Sequence, residues 1–349
     1  MGENNKNNQN PLEQKMNEEA LVQFKDVKVM FPVRKKYVSA VDRVNMTIHQ
    51  GEIVGVVGES GSGNSVMSQS ILRLRDHDSE VKYEGEILFE GQNLLNMPLK
   101  KMQEIRGNKI SVIFQNPLTS LSPVHTVGKQ LGEVLILHKH LSKQEAREKS
   151  KELLKLTGIP SPERCVKQYP FELSGGMQQR VMIAMALACE PSLLIADEPT
   201  TALDVTIQEQ ILNLIAELNE KLGMSVLFIT HDMGAVSQLC HSVRVMYLGQ
   251  IVEEALTDEL FERPLHPYTE GLLACIPKMD SNRNEALPVI TGSVPALSKI
   301  PQGCHFCTRC PYADDKCRGE EPPLVEVSDR HKVKCWKYVN GQKNKQEVE

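Results

Sequence analysis

No apolar run in this sequence approaches the 18 or so residues that a helix needs to cross a bilayer. Val181–Cys189 is among the longest such stretches. A membrane-spanning helix is thereby excluded. The start of the chain also lacks an apolar h-region. Met1 to Ala20 is rich in Asn, Gln, Glu and Lys, which excludes a secretory signal and predicts a disordered tail with no assignable role. Positive charge is not in excess. The formal net charge of −5 argues against a binder of phosphate backbones as a whole, and no heptad arm is present. The expectation is a soluble, cytoplasmic protein. Cysteine is sparse until the tail: Cys165, Cys189, Cys240 and Cys275 are scattered, whereas Cys304, Cys307, Cys310, Cys317 and Cys335 crowd together. In a reducing compartment such a cluster points to a metal or iron–sulfur site rather than a disulfide framework. Free thiols packed in a small domain are the plain alternative.

What is present suffices for a sizeable core. The chain has 349 residues, 40% of them apolar, enough for two or three structural units. Alternation over Leu21 to Met30 and Val38 to Ile48 predicts two antiparallel strands, and Ile53–Val57, Glu86–Phe89 and Ile110–Phe114 read as further strands. Leu193–Ala196 and Val226–Ile229 are unbroken apolar runs, as expected of strands buried on both faces of a parallel sheet. Ser65 to Leu74, Thr126 to Gly158, Ser174–Cys189 and Val205–Leu222 carry helical spacing. Ser142 and Glu145 predict a capping box, and Gly223 a C-cap. Val243–Leu248 and Ile251–Glu254 predict a closing hairpin around Gly249-Gln250. Prolines multiply after Arg263, so a boundary is placed there. The expected division is a tail over 1–20, a nucleotide-binding domain over 21–262 with a helical subdomain over about 117–190, and a cysteine-bearing extension over 263–349.

The strand Ile53–Val57 runs into Gly58-Glu59-Ser60-Gly61-Ser62-Gly63-Asn64-Ser65. The spacing G-x-x-x-x-G-K-S/T makes a loop of backbone N–H groups around α/β-phosphates and leads into a helix N-terminus that favours an anion. Asn64 stands where the lysine of that pattern belongs, so alone the stretch could be a plain glycine-rich turn. Other motifs weigh against that. Leu173-Ser174-Gly175-Gly176-Met177-Gln178-Gln179-Arg180 opens a helix with a hydroxyl, backbone donors and the helix dipole. A strand then ends in Asp197-Glu198-Pro199-Thr200, followed by Thr201-Ala202-Leu203-Asp204. Gln115 follows Ile110–Phe114, and His231 follows Ser225–Thr230. Singly these read as a capped helix, an acidic strand end, a surface glutamine and a turn.

Together, and in this order, they resemble the ATP-binding cassette (ABC) ATPases over roughly Leu21 to Leu260. The resemblance implies an α/β fold: a P-loop core of mostly parallel sheet with flanking helices, an antiparallel β subdomain and a helical subdomain. It implies ATP and Mg²⁺ as cofactors. ATP would be cradled by Gly58, Glu59, Ser60, Gly61, Ser62, Gly63, Asn64 and Ser65. Mg²⁺ would be held by Ser65, Gln115 and Asp197, and Glu198 would act as general base with His231 at the γ-phosphate. Ser174, Gly175 and Gly176 would complete the site of a partner subunit, and Tyr37 is the candidate to stack on the adenine, although a strand-edge tyrosine would look the same.

The tail resembles the C-terminal extension of ATPases in oligopeptide and dipeptide importers, through Arg263-Pro264-Leu265-His266-Pro267-Tyr268-Thr269, Gly303-Cys304 and Arg309-Cys310-Pro311. That likeness implies uptake of peptides, with nickel or another small solute as the alternative in the same family. It implies a second, homologous ATPase in a heterodimer, two transmembrane permeases, an extracellular substrate-binding protein and no nucleic acid. The chain would sit peripherally on the cytoplasmic face of the membrane. In relatives the extension can hold a 4Fe–4S cluster, whose ligands best match Cys304, Cys310, Cys317 and Cys335. A DNA-repair or translation ATPase would be expected to carry two cassettes or a coiled-coil arm. Asn64 brings no charge to the γ-phosphate, so this chain's own P-loop is expected to hydrolyse ATP slowly or not at all, which keeps a non-hydrolysing regulatory subunit in view.

Overall fold

The computed structural model describes residues 19–339 except 35, 77, 79, 202 and 277–287. The expected N-terminal tail up to residue 18, together with Ala202 and Pro277, lies outside the described residues. The strands, in chain order, are β1 (Ala20–Val33), β2 (Lys36–His49), β3 (Ile53–Val57), β4 (Lys82–Phe89), β5 (Gln92–Asn93), β6 (Ile110–Ile113), β7 (Leu193–Asp197), β8 (Ser225–Thr230), β9 (Ser242–Tyr247), β10 (Gln250–Leu256), β11 (Val325–Ser328) and β12 (His331–Val333). They form two sheets.

The first sheet has the order β2-β1-β4-β5 and is antiparallel. Its long β1–β2 hairpin sets Phe24 opposite Met46 and Val29 opposite Val41. The second has the order β11-β12-β10-β9-β3-β8-β7-β6. The run β9-β3-β8-β7-β6, which ends at the edge strand β6, is parallel, while β10, β12 and β11 add antiparallel strands at the other side.

Unbroken apolar runs become the parallel strands because both of their faces are covered. In β3, Ile53 and Val57 enter one core while Val54 and Val56 enter another. The same alternation places Leu194 and Ala196 of β7 on one side and Leu193 and Ile195 on the other. The second of these cores lies between the two sheets and encloses Met67 and Ile71 of the helix Asn64–Ile71. The first lies under the helices Val205–Leu222 and Met233–Leu239, and it reaches Tyr268 and Phe306 of the extension.

A third core belongs to a helical layer built from Val127–Lys139, Lys143–Leu156 and one face of Gly175–Leu187. That last helix joins the layers: Val181 and Ala184 face the helical core, whereas Met182, Ile183 and Leu187 face the main one. The capping box at Ser142 and Glu145 forms as the spacing predicts, and Val205–Leu222 ends at Gly223 with φ of 65°. Among the described residues no helix is long and apolar enough to cross a membrane.

Candidate nucleotide site

The P-loop, Gln115, the Asp197–Glu198 pair and His231 all follow the carboxyl ends of parallel strands, where ligands of open α/β sheets bind. The loop leaves β3 at Gly58. Ser62 N–H donates to the Glu59 carbonyl at 2.9 Å, and Gly249 N–H donates to the Ser62 carbonyl at 2.7 Å. Gly63 closes the loop at φ of 97°, and a Cβ there would collide with the Ala40 carbonyl. Only glycine meets both conditions. The Ser62 hydroxyl is buried with no partner, an unmet polar group in a loop of the shape that receives phosphate.

Asn64 is 9% exposed and begins the helix Asn64–Ile71. Its Oδ1 accepts the N–H of Ser65 at 2.8 Å. The asparagine therefore lacks the positive charge of the lysine pattern and also occupies a backbone donor of the loop. The Ser65 hydroxyl donates to Asp197 Oδ1 at 3.0 Å. Burial raises the Asp197 carboxyl above its ordinary range and the neighbouring Glu198 adds to this, partly offset by the Ser65 hydrogen bond. A buried carboxylate in that condition gains from a cation, so the pair fits Mg²⁺.

Three side chains from separate segments converge on Glu198. Gln115 Nε2 donates to Oε2 at 2.6 Å, and the Thr201 hydroxyl donates to the same oxygen at 2.9 Å. His231 Nδ1 lies 3.4 Å from Oε1. Glu198 itself sits at φ of 49°, a costly conformation for a residue with a side chain, fixed by its N–H to the Ile229 carbonyl at 2.9 Å. The arrangement sets a carboxylate at the mouth of the site with its orientation locked, as a general base requires. Thr201 was not among the candidates from sequence; only its place three residues after Glu198 hinted at the contact.

The residues Ser174 and Gly175 are exposed. The Ser174 hydroxyl accepts Met177 N–H at 3.4 Å as the N-cap of Gly175–Leu187. The polar residues behind them are anchors: Gln178 donates to the Pro170 and Leu173 carbonyls, Gln179 to the Pro199 carbonyl at 2.6 Å, and Arg180 to the Thr157 carbonyl at 2.7 Å. Among the described residues no hydrogen bond joins Ser174–Gly176 to the P-loop of the same chain. Tyr37 lies near the β1–β2 turn, 43% exposed, with the Lys82 ammonium 3.9 Å from its ring centroid. Phe31, on the same hairpin, is a second aromatic, with the Arg75 guanidinium carbon 5.4 Å from its ring centroid. The sequence reading named Tyr37 alone.

The five tail cysteines, Cys304, Cys307, Cys310, Cys317 and Cys335, line one cavity of about 270 Å³ together with Trp336 and Tyr312. All five are free thiols. Burial pushes Cys304 up to about 12 and Cys335 to about 11. Among the described residues no group of three or more His, Cys, Asp or Glu side chains is close enough to hold a single metal ion.

Fold and motif order together define a nucleotide-binding cassette. The chain belongs to the ABC transporter family, whose profile matches residues 41–201, and the profile "Oligopeptide/dipeptide transporter, C-terminal region" matches residues 252–317. It is 49% identical over 317 residues to the probable peptide ABC transporter ATP-binding protein y4tR of Sinorhizobium fredii, covering 91% of this chain and 95% of that one. It is 50% identical over 316 residues to the oligopeptide transport ATP-binding protein OppD of Bacillus subtilis, covering 90% and 88%. Among solved structures it resembles the dimeric ATP-binding cassette MJ0796 in a post-hydrolysis state bound to ADP and Pi. There the TM-score is 0.61 and the identity 33%, with 68% of this chain and 98% of that chain covered.

Proposed function

We propose that this chain is the ATP-binding subunit of a peptide importer, working from the cytoplasmic face of the membrane. It pairs with a second, homologous ATPase, docks on two permeases and is supplied by an extracellular binding protein. The observation that carries this reading is the convergence of Ser65 on Asp197 and of Gln115, Thr201 and His231 on Glu198, in a chain whose relatives are named for peptide transport. Asp197 and Ser65 would hold Mg²⁺, which neutralises phosphate charge, and Glu198 would take a proton from the attacking water. Gln115, expected on the Mg²⁺, and His231, expected at the γ-phosphate, both reach the Glu198 carboxylate and would orient it from those places. Exposure of Ser174 and Gly175 supports their use by a partner's nucleotide. Exposed Ile136 and Leu137, beside a groove of about 870 Å³, support permease docking on the helical layer.

A second reading, a subunit that binds ATP without turning it over, is favoured by one contact: Asn64 Oδ1 on the Ser65 amide. Charge-assisted hydrogen bonds are worth about 1.5–3 kcal/mol each, and one preorganised donor contributes about 10²–10³ in rate. In the assembled complex, Asn64→Lys is therefore expected to tighten ATP binding by at least tenfold and to raise turnover at this P-loop by about 10²–10³. Unchanged turnover would remove the view that Asn64 weakens the site.

For the cysteine cavity we propose a structural 4Fe–4S cluster on Cys304, Cys310, Cys317 and Cys335. The supporting observation is that these thiols line one chamber; a bound cluster would supply the positive charge their thiolates need. Iron and acid-labile sulfide measured on anaerobically purified protein test it, and an iron-free, fully folded chain would refute it.

A further inference from the structure

We infer that Arg309 is a positioning residue of the P-loop: acting through Glu59, and together with Tyr268, it holds the loop in the shape that receives a triphosphate. The inference rests on the nucleotide reading above. Arg309 and Glu59 are 250 residues apart in sequence, yet the guanidinium forks onto the carboxylate, Nη1 to Oε2 at 2.6 Å and Nη2 to Oε1 at 3.1 Å. The Tyr268 hydroxyl accepts the Glu59 backbone N–H at 2.9 Å. The second residue of the loop is thus gripped at its side chain and at its main chain, both times from the C-terminal extension.

The grip is a firm one. The Arg309 side chain is 3% exposed, against 32% for Glu59, and its Nε donates to the Thr291 carbonyl at 3.0 Å. Behind it the rings of Tyr247, Tyr268 and Phe306 pack with centroids 4.7–5.3 Å apart. A second route reaches the other side of the loop. His305 Nδ1 lies 2.9 Å from the Leu248 carbonyl, and the next residue, Gly249, donates its N–H to Ser62.

Two physical effects follow. A loop with glycines at 58, 61 and 63 has much freedom to lose on ordering, and a clamp from a rigid aromatic base removes part of that loss beforehand. Glu59 also puts a negative charge beside the phosphate-binding backbone. Arg309 neutralises it at short range, which matters more where Asn64 supplies no cation. Arginine suits both tasks because its planar fork matches a carboxylate with two parallel hydrogen bonds.

The test uses the full chain in its assembled complex, with MgATP affinity measured by calorimetry and hydrogen exchange followed in the peptide spanning residues 58–65. Arg309→Met is expected to weaken MgATP binding by roughly tenfold and to speed exchange in the loop, with exchange in β7 and β8 unchanged. Arg309→Lys should recover part of the affinity. Glu59→Gln, at a partly exposed position that spares the fold, should speed loop exchange by itself. Wild-type affinity and wild-type loop exchange in Arg309→Met would overturn the inference. So would a uniform rise in exchange across the chain with no recovery by lysine, since that marks a merely structural ion pair. Failure of the wild-type chain to bind MgATP would instead bring down the nucleotide reading, and this inference with it.

Discussion

At the scale of single residues, the site is built from side chains that sequence scatters and strand ends collect. Gln115, Glu198 and His231 lie far apart along the chain and meet because β6, β7 and β8 are neighbours whose carboxyl ends share one edge. Replacing Glu198 by Gln in the Asn64→Lys background should keep ATP binding and lower turnover by about 10²–10⁴, the contribution of a positioned general base. Phosphate release in the assembled complex measures it, and undiminished turnover would deny Glu198 that role. Singly these residues read as a surface glutamine, an acidic strand end and a turn; they were singled out because their order along the chain resembles that of the ABC ATPases. The Arg309–Glu59 fork was not readable. An ion pair across 250 residues leaves no periodic trace, and Arg309 stood out only as the neighbour of a cysteine.

At the scale of elements, local chemistry decided what could be foreseen. The helix Val205–Leu222 carries its own signals: Asp204 caps its start by accepting Ile207 N–H at 3.0 Å, and Gly223 takes the left-handed turn at its end. The capping box of Lys143–Leu156 is equally local, with Ser142 accepting Glu145 N–H and Glu145 accepting Ser142 N–H. Ser142→Ala should cost about 1 kcal/mol of stability, seen as a lower denaturant midpoint, whereas an unchanged midpoint would show that the helical layer carries the helix without its cap. By contrast β11 and β12 were not anticipated. Val325–Ser328 and His331–Val333 are too short for alternation to emerge, and they are strands because β10 offers β12 an edge to pair with and β12 in turn offers one to β11.

At the scale of the whole molecule, one buried charged cluster ties the extension to the main sheet. Glu253 on β10 is fully buried and accepts the N–H groups of Leu265 and His266 at 2.7 and 2.9 Å. His331 on β12 lies 2.8 Å from Glu253 and 3.0 Å from Glu259. Burial opposes the charge on His331, but hydrogen bonds to the two carboxylates outweigh it and raise the imidazole above its ordinary range. A group with a raised folded value stabilises fully below its unfolded value, about 6.5 for histidine, and loses that contribution as pH climbs through the folded value. The melting temperature should therefore fall as pH rises from 6 toward 9, and His331→Asn should flatten that slope. An equal slope in both proteins would clear His331 of the effect.

The antiparallel strands at the side of the large sheet carry one more consequence. Glu253 and Glu254 of β10 pair through their backbone with Val333 and Lys332, so the far end of the chain seals a border that would otherwise lie bare. A protein shortened at residue 263 would present open amide and carbonyl groups along that border, an invitation to stick to its own copies. Tail deletions should therefore be lost to precipitation before any defect in transport could be scored.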